Sequence, residues 1–301
     1  MDTWVSLDGR IVPGEEATVP VLDRGFLFGD SVYEVVRTYA QRPFLFDAHL
    51  ERLQASASRL GILLPGGVES IARQVHEILD HVQGRLRSNP GGAAEPGDWY
   101  IRIIVTRGSS LPSLDPSTAG PQRLVIIVRP LSAPDPEWAG RGTTARIVNT
   151  RRSSRVSLDP AIKSGNYLNN IMALMEARAA GAREAIMLNA EGEVTEASTA
   201  NIFLVHDGQV ATPALECGIL SGITRGLLLQ TARHAGIPLH EKRLYPEDLR
   251  GADEIFLTST LREIQPIIEL DGRKVGQGTD GPITRRLSTL LRARIRELAG
   301  L

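Results

Sequence analysis

Lysine is nearly absent from this 301-residue chain: of its 34 basic residues, only Lys163, Lys242 and Lys274 are lysines. A guanidinium stays protonated, so any carbonyl chemistry that needs an amine nucleophile has three candidates. There is one cysteine, Cys217, which excludes an intramolecular disulfide and fits a reducing compartment. Net charge is scarce as well. A formal value of −1 gives no reason to expect nucleic acid or an acidic membrane surface as a partner. No apolar run approaches the roughly 20 residues that span a bilayer. The start, Met1-Asp2-Thr3-Trp4, has neither a basic region nor an apolar one, so no signal peptide is expected. The expectation is a soluble, cytoplasmic chain with no metal site, internal repeat or low-complexity segment.

Against these absences stand 42% hydrophobic and 23% charged residues, near globular averages, in a chain long enough for two domains. Trp4–Leu7, the turn Asp8-Gly9-Arg10 and Ile11–Pro13 read as a hairpin. Val32–Tyr39 is rich in β-branched and aromatic residues and reads as a strand. Asp47 is placed to cap a helix carrying Leu50, Leu53, Ala57 and Leu60, closed by Gly61. A second helix is predicted over about Val68–Val82, then a loop over Gly84–Asp98, then strands at Tyr100–Thr106 and Arg123–Val128. Pro130–Gly142 is rich in Pro and Gly. It is the expected linker between a smaller N-terminal domain (1–129) and a larger C-terminal domain (143–301) carrying Lys163. In the second half, helices are predicted near Tyr167–Ala180, Ile223–Ala235 and Ile283–Ala299, with strands near Ala185–Asn189 and Asn201–Val205. Strands and helices mix without βαβ alternation, which predicts an α+β fold.

Five segments could carry chemistry. Lys163 follows a proline and precedes a predicted helix, whose positive N-terminal end would favour the neutral amine needed for imine formation. An exposed lysine at a loop–helix junction is the plainer alternative. Leu220-Ser221-Gly222-Ile223-Thr224-Arg225 places a Ser-Gly turn at a helix start, where free N–H groups can hold a phosphate or the serine can simply cap. Leu257-Thr258-Ser259-Thr260 ends an apolar strand in three hydroxyls, phosphate donors or turn caps. Glu196, after the Glu191-Gly192 turn, is either a surface acid or a carboxylate able to keep a pyridine nitrogen protonated. His49 and Arg52 share a helix face, where Arg52 could clamp a phosphate bidentately.

Together these segments resemble, from about Val5 to Glu297, the class IV (fold type IV) aminotransferases, which use pyridoxal 5′-phosphate (PLP). The N-terminal signature is Asp23–Glu34. The HLERL helix, the Lys163 segment, Glu193–Phe203, the SGITR turn and Thr258–Ile264 follow in the family's order. The resemblance implies a two-domain fold type IV enzyme, in which Lys163 carries the cofactor and moves the proton. Glu196 pairs with the pyridine nitrogen, and Tyr167 contacts the phenolic oxygen. Arg52, the Gly222 turn with the Ile223 and Thr224 amides, and the Ser259 and Thr260 hydroxyls hold the phosphate. Tyr33, Tyr100, Arg102, Arg107 and Leu261 fall where family members line the substrate pocket. The family is at least dimeric, which implies a homodimer or higher homo-oligomer acting on a small-molecule amino donor and a 2-oxo acid.

The branches of the family differ in substrate. Ser164–Asn170, Gly281–Leu287 and Tyr100-Ile101-Arg102 resemble branched-chain aminotransferases, with Arg102 placed for the distal carboxylate of glutamate. VYEVVRTY and Val105–Gly108 resemble the D-amino acid and (R)-amine branches. There Arg107 would meet the substrate carboxylate, although Ser109 stands where those enzymes have a histidine. Leu261-Arg262 replaces two small residues of the branched-chain enzymes. The leading expectation is a ping-pong transaminase passing amino groups from branched-chain L-amino acids to 2-oxoglutarate. D-amino acid or (R)-amine transamination and aminodeoxychorismate lysis are the alternatives.

Overall fold

The computed structural model describes residues 3–88, 97–131 and 142–301. Most of the expected linker, and residues 89–96 of the expected loop, lie outside these. By its internal contacts the chain divides into two compact units: Met1–Ser132 with Ile162–Asn166, and Ala133–Ala161 with Tyr167–Leu301. The Lys163 segment therefore packs with the first unit, whereas a cut at the linker places it in the C-terminal part. Mixed helix and sheet is the observed class, as the pattern of elements predicts.

The first unit begins with the hairpin of β1 (Trp4–Leu7) and β2 (Arg10–Pro13). A five-residue helix, α1 (Arg24–Phe28), follows. Asp23 caps it, and its end is set by Gly29 in the left-handed region at φ 68°. Next come β3 (Ser31–Tyr39), the short β4 (Arg42–Pro43), helices α2 (Phe46–Leu60) and α3 (Gly67–Ser88), β5 (Trp99–Thr106) and β6 (Arg123–Pro130). The six strands form one sheet in the order β2-β1-β6-β5-β3-β4. Two boundaries differ from the sequence reading. Leu45, at φ 47°, is the residue that precedes α2. Asp47 instead lies in the first turn, where its charge complements the helix dipole. Helix α3 also runs on through Gly84 to Ser88, because one glycine costs only about 1 kcal/mol in a long amphipathic helix.

Strand alternation sorts the two faces of this sheet. Val32, Val36, Ile101, Ile103, Ile126 and Val128 meet Leu53, Ala57, Ile71, Val75 and Ile78 of the two helices in one core. Each fully buried aliphatic side chain there contributes about 1.5–3 kcal/mol. Odd-numbered β3 residues face the other way, and that face carries Tyr33 and Arg37 together with Tyr100, Arg102 and Arg129.

The second unit comprises β7 (Thr143–Ile147), α4 (Leu168–Ala179), the strands β8 (Glu184–Leu188), β9 (Val194–Ala197), β10 (Asn201–His206) and β11 (Gln209–Pro213), then α5 (Ile223–His234). It continues through β12 (Leu239–Lys242), α6 (Pro246–Arg250), β13 (Glu254–Ser259), β14 (Glu263–Leu270), β15 (Arg273–Lys274) and α7 (Pro282–Ala299). Its sheet runs β12-β11-β10-β13-β14-β7-β8-β9, with β15 paired to β14. Ile202, Leu204, Ile255, Leu257 and Ile267 build its core. No helix among the described residues is long and apolar enough to cross a membrane.

Candidate active site

Lys163 is held by the backbone on both sides. Its carbonyl accepts from the Tyr33 N–H at 3.0 Å, and its own N–H donates to Ser56 Oγ at 3.2 Å. An isolated bridge between Val32 and Ser164 lays the segment along β3. The side chain is half-buried, with Nζ 3.5 Å from the Tyr33 hydroxyl and 4.5 Å from the ring centroid. The Arg102 guanidinium lies 4.1 Å from the same centroid. Helix α4 starts only at Leu168, five residues on. That is beyond the single turn over which a helix dipole acts, so the local partners of Lys163 are Tyr33 and Ser56. Lys242 and Lys274 are exposed on β12 and β15.

Beneath this face lies a charged triad. Glu34 is fully buried, and its carboxylate accepts from Arg52 Nε at 2.7 Å and Nη2 at 2.8 Å. His49 Nδ1 is 2.8 Å from Glu34 Oε2. Burial by itself would raise the Glu34 pKa; the Arg52 hydrogen bonds and charge, then those of His49, outweigh it and hold the group down to about 2. Burial lowers the His49 pKa, which leaves a neutral ring that donates through Nδ1–H, since an ionised carboxylate only accepts. Arg52, the expected phosphate ligand, is thus fixed by a bidentate pair. A signal for this pairing was present in the sequence: Glu34 is an acid flanked at i−2 and i+2 by Val32 and Val36 on the inward face of the strand.

In the second unit the centre is Glu196 on β9, 5% exposed. Arg152 Nε donates to it at 3.0 Å, the Leu220 N–H at 3.0 Å and Asn201 Nδ2 at 3.4 Å. Asn201 also donates to the Leu220 carbonyl at 3.0 Å, tying the carboxylate to the turn before α5. Neither Arg152 nor Asn201 stood out in the sequence, where each is one polar residue among many.

The α5 turn resolves one of the open alternatives. Its N-cap is Gly222, with no side-chain cap, so Ser221 does not cap it. A Cβ on Gly222 would overlap Asn201 Oδ1, which leaves glycine as the residue that fits. The Ile223 and Thr224 amides open the helix, where N–H groups have no partner within it. On β13, Thr258 is 1% exposed and pairs with Asn201 across the strands. Its hydroxyl is buried without a partner among the described residues; the sequence offers it as one of three hydroxyls, and the family resemblance selects Ser259 and Thr260 instead. Those two and Leu261 are half-buried at the β13–β14 turn. There Arg262 is tied to Glu184 at 2.8 Å and to Thr199 at 3.0 Å. Tyr167 precedes α4 as its N-cap.

Arg107 is a correction. Its Nε bonds Asp30 at 2.7 Å, Nη1 the Gly61 carbonyl at 3.1 Å and Nη2 the Leu60 carbonyl at 2.8 Å. Two nitrogens dock the C-terminal end of α2 and the third pairs with Asp30, so all three are engaged within the first unit and not presented to a substrate carboxylate. Cys217 is buried, and burial followed by the Glu193 charge pushes its thiol pKa up, which disfavours a thiolate nucleophile. A cavity of about 550 Å³ in the first unit, lined by Asp8, Ser70, Gln74 and Arg123 among others, contains none of the expected site residues.

The chain is similar to known proteins along most of its length. The family model for amino-transferase class IV matches residues 31–270. The putative branched-chain-amino-acid aminotransferase of Methanocaldococcus jannaschii is 38% identical over 283 residues, covering 94% of this chain and 93% of that protein. The D-alanine aminotransferase of Bacillus licheniformis is 33% identical over 287 residues, covering 95% of each. The crystal structure of the branched-chain amino acid aminotransferase from Thermobaculum terrenum in its PLP form has a TM-score of 0.81 at 28% identity, covering 99% of this chain and 94% of that one.

Proposed function

The chain belongs to the class IV aminotransferases, and from that membership we propose that it is a PLP-dependent transaminase taking amino groups from amino acids, branched-chain L-amino acids favoured, and passing them to 2-oxoglutarate by a ping-pong mechanism. One observation carries the reading. Of three lysines, Lys163 alone is drawn in beside Tyr33, over whose ring Arg102 also lies, while the other two are exposed at sheet margins.

The residues present fit PLP. Gly222 leaves no room for a side chain, and the first α5 amides lack intrahelical acceptors. The buried Thr258 hydroxyl waits for a partner, and Glu196 is an acid already oriented by three donors. Bound there, PLP supplies an aldehyde that condenses with amines and a protonated ring that withdraws electrons. Arg52, Gly222, Ile223, Thr224, Ser259 and Thr260 bind its phosphate. Glu196 keeps the ring nitrogen protonated, and Tyr167 orients the phenolic oxygen. Lys163 Nζ takes the proton from the substrate α-carbon and returns it on the other side of the exchange. Tyr33, Tyr100, Arg102 and Leu261 orient the substrate. Exposed Val21, Phe26, Leu111 and Leu114 on the first unit, and Ile171 and Met175 on the second, support a homodimer.

Lys163→Ala, reconstituted with PLP, is expected to lose both the yellow absorbance and the half-reaction with L-leucine, whereas Lys242→Ala keeps them. A yellow, active Lys163→Ala protein would overturn the proposal. Tyr33 and the similarity to a D-alanine aminotransferase favour D-amino acid transamination as the second reading. Conversion of the PLP form by D-alanine or (R)-1-phenylethylamine, and not by L-leucine, would select it. Pyruvate release from aminodeoxychorismate without a 2-oxo acid would instead mark a lyase.

A further inference from the structure

The ladder between β10 and β13 ends at the pair Asn201–Thr258. Beyond it each chain runs into a loop. Residues 198–200 lead back to Glu196 on β9, and Ser259 with the turn at 260–262 leads on into β14. On the reading above, the first loop belongs to the acid that meets the cofactor's ring nitrogen, and the second holds its phosphate. The side chain of Arg262 crosses between them. Its Nη2 donates to Thr199 Oγ1 at 3.0 Å, and its Nη1 to Glu184 at 2.8 Å.

The groups at both ends of this link are themselves held. Glu184 opens β8 and is 8% exposed, so its charge needs the paired cation that Arg262 supplies. The Ser198 N–H donates to the Ala185 carbonyl at 3.1 Å, which joins the loop at Thr199 to the start of β8 through the backbone as well. On the other side, Nη1 also donates to Gln265 Oε1 at 3.1 Å. Glu263, next in the chain, has φ 59°. Side chains other than glycine rarely adopt that region, and they stay in it only where neighbours hold them. Arg292 of α7 donates to the Glu263 carboxylate at 3.1 Å. Side-chain contacts at Arg262 and Glu263 thus set the shape of a turn that a glycine commonly sets.

We propose that Arg262 is a positioning residue that fixes the distance between the phosphate turn at Ser259 and Thr260 and the hairpin carrying Glu196. This rests on the reading of the chain as a PLP enzyme; the spacing role of Arg262 is the new element. PLP presents its ring nitrogen and its phosphate at a separation set by its own bonds. A protein that holds the two receiving loops at that separation beforehand loses less conformational freedom on binding. A guanidinium suits the task, because its planar fork holds two donors in fixed directions, whereas an ammonium is a point charge on a flexible stem.

The test compares wild type with Arg262→Leu, Arg262→Lys and Thr199→Val. The last keeps the Glu184 pair and removes only the acceptor on the Glu196 hairpin. PLP and pyridoxal, which lacks the phosphate, are titrated by absorbance, and inorganic phosphate is measured as a competitor of PLP. In Arg262→Leu the PLP affinity is expected to fall about tenfold, the scale of one charge-assisted hydrogen bond. Thr199→Val falls less, and Arg262→Lys recovers part of the loss. Pyridoxal and phosphate each engage one loop and need no fixed spacing, so both should bind as in wild type. An unchanged PLP affinity overturns the spacing role. Equal losses for PLP and pyridoxal overturn it too, as general loosening, and so do equal losses for PLP and phosphate, which would make Arg262 a direct phosphate ligand. Should Arg262→Leu not fold, Thr199→Val decides on the same outcomes. Hydrogen exchange of the PLP-free proteins is the second readout. Faster exchange at both 198–200 and 260–263 in the variants supports the link, and acceleration of one segment alone or of neither overturns it. Wild type that binds no PLP overturns the functional reading, and hydrogen exchange then still decides whether Arg262 joins the two loops.

Discussion

Replacing Glu34 with Gln tests whether the buried triad of the first unit is held by charge. A fall of the Glu34 pKa from 4.5 to about 2 corresponds to roughly 3 kcal/mol of preference for the ionised form in the folded state. The group is fully buried, so solvent screening does not discount this. Glu34→Gln keeps the shape and removes the charge, leaving the 14%-exposed Arg52 side chain without this counter-ion. Breaking one side of such a pair costs about 3–5 kcal/mol. At pH 7 the variant is therefore expected to be less stable by about 3 kcal/mol.

The sign of the pH dependence follows from the direction of the shift. A carboxyl depressed on folding contributes its full stability above its unfolded pKa, and loses it as pH falls through the folded value. Gln does not titrate. The gap between wild type and variant should be constant above about pH 4.5 and close progressively toward pH 2. Urea unfolding followed by tryptophan emission reads mostly this unit, because Trp4 and Trp99, two of the three tryptophans, lie in it and Trp99 is 1% exposed. A gap below about 1 kcal/mol at pH 7, typical of an exposed pair, would refute the reasoning. So would a gap that keeps its size from pH 4.5 to pH 2.5.

Gly222→Ala forces Asn201 off both Glu196 and the Leu220 carbonyl, and PLP affinity in an absorbance titration should fall at least about tenfold, the equivalent of one lost hydrogen bond. Arg107→Leu leaves Asp30 with Arg24 alone. It should lower the thermal midpoint by several degrees while raising KM for 2-oxoglutarate far less than Arg102→Leu does. The reverse order would restore Arg107 to the substrate pocket. Arg152→Leu removes the 3.0 Å donor from Glu196 and should shift the pH dependence of the bound cofactor's absorbance. A spectrum that titrates as in wild type would show that Leu220 and Asn201 suffice.

What the sequence made legible was whatever depends on period and on scarcity. The β-branched and aromatic richness of Val32–Tyr39 announced a strand, and the three- and four-residue steps from Leu50 to Leu60 announced a helix. Three lysines made Lys163 worth weighing. Illegible was whatever depends on which residues meet across a fold. Arg107 and Arg52 look alike in the sequence, yet one docks a helix end and the other faces Glu34. Arg152 and Asn201 look ordinary until β9 and the turn before α5 come together on Glu196. The short α1 was equally hidden, since five residues give periodicity nothing to act on, and its limits are set by Asp23 and Gly29.

Lysine scarcity and the arginine pairs follow from the same physical preference. Both units fix a proposed cofactor-binding group with a buried or half-buried guanidinium–carboxylate pair: Glu34 holds Arg52, and Arg152 holds Glu196. The roles are exchanged between the two, with the acid static in one and the base static in the other. A static partner must keep its charge when desolvated and must bond in a fixed plane, which guanidinium does and ammonium does poorly. A reacting amine needs the opposite property, the ability to lose its proton. A chain that assigns fixed pairing to arginine leaves lysine for the one place where deprotonation is useful. On that argument Arg52→Lys and Arg152→Lys are not conservative changes. Each should weaken PLP binding nearly as much as the corresponding Leu variant, and binding restored to the wild-type level by either would show that charge alone suffices.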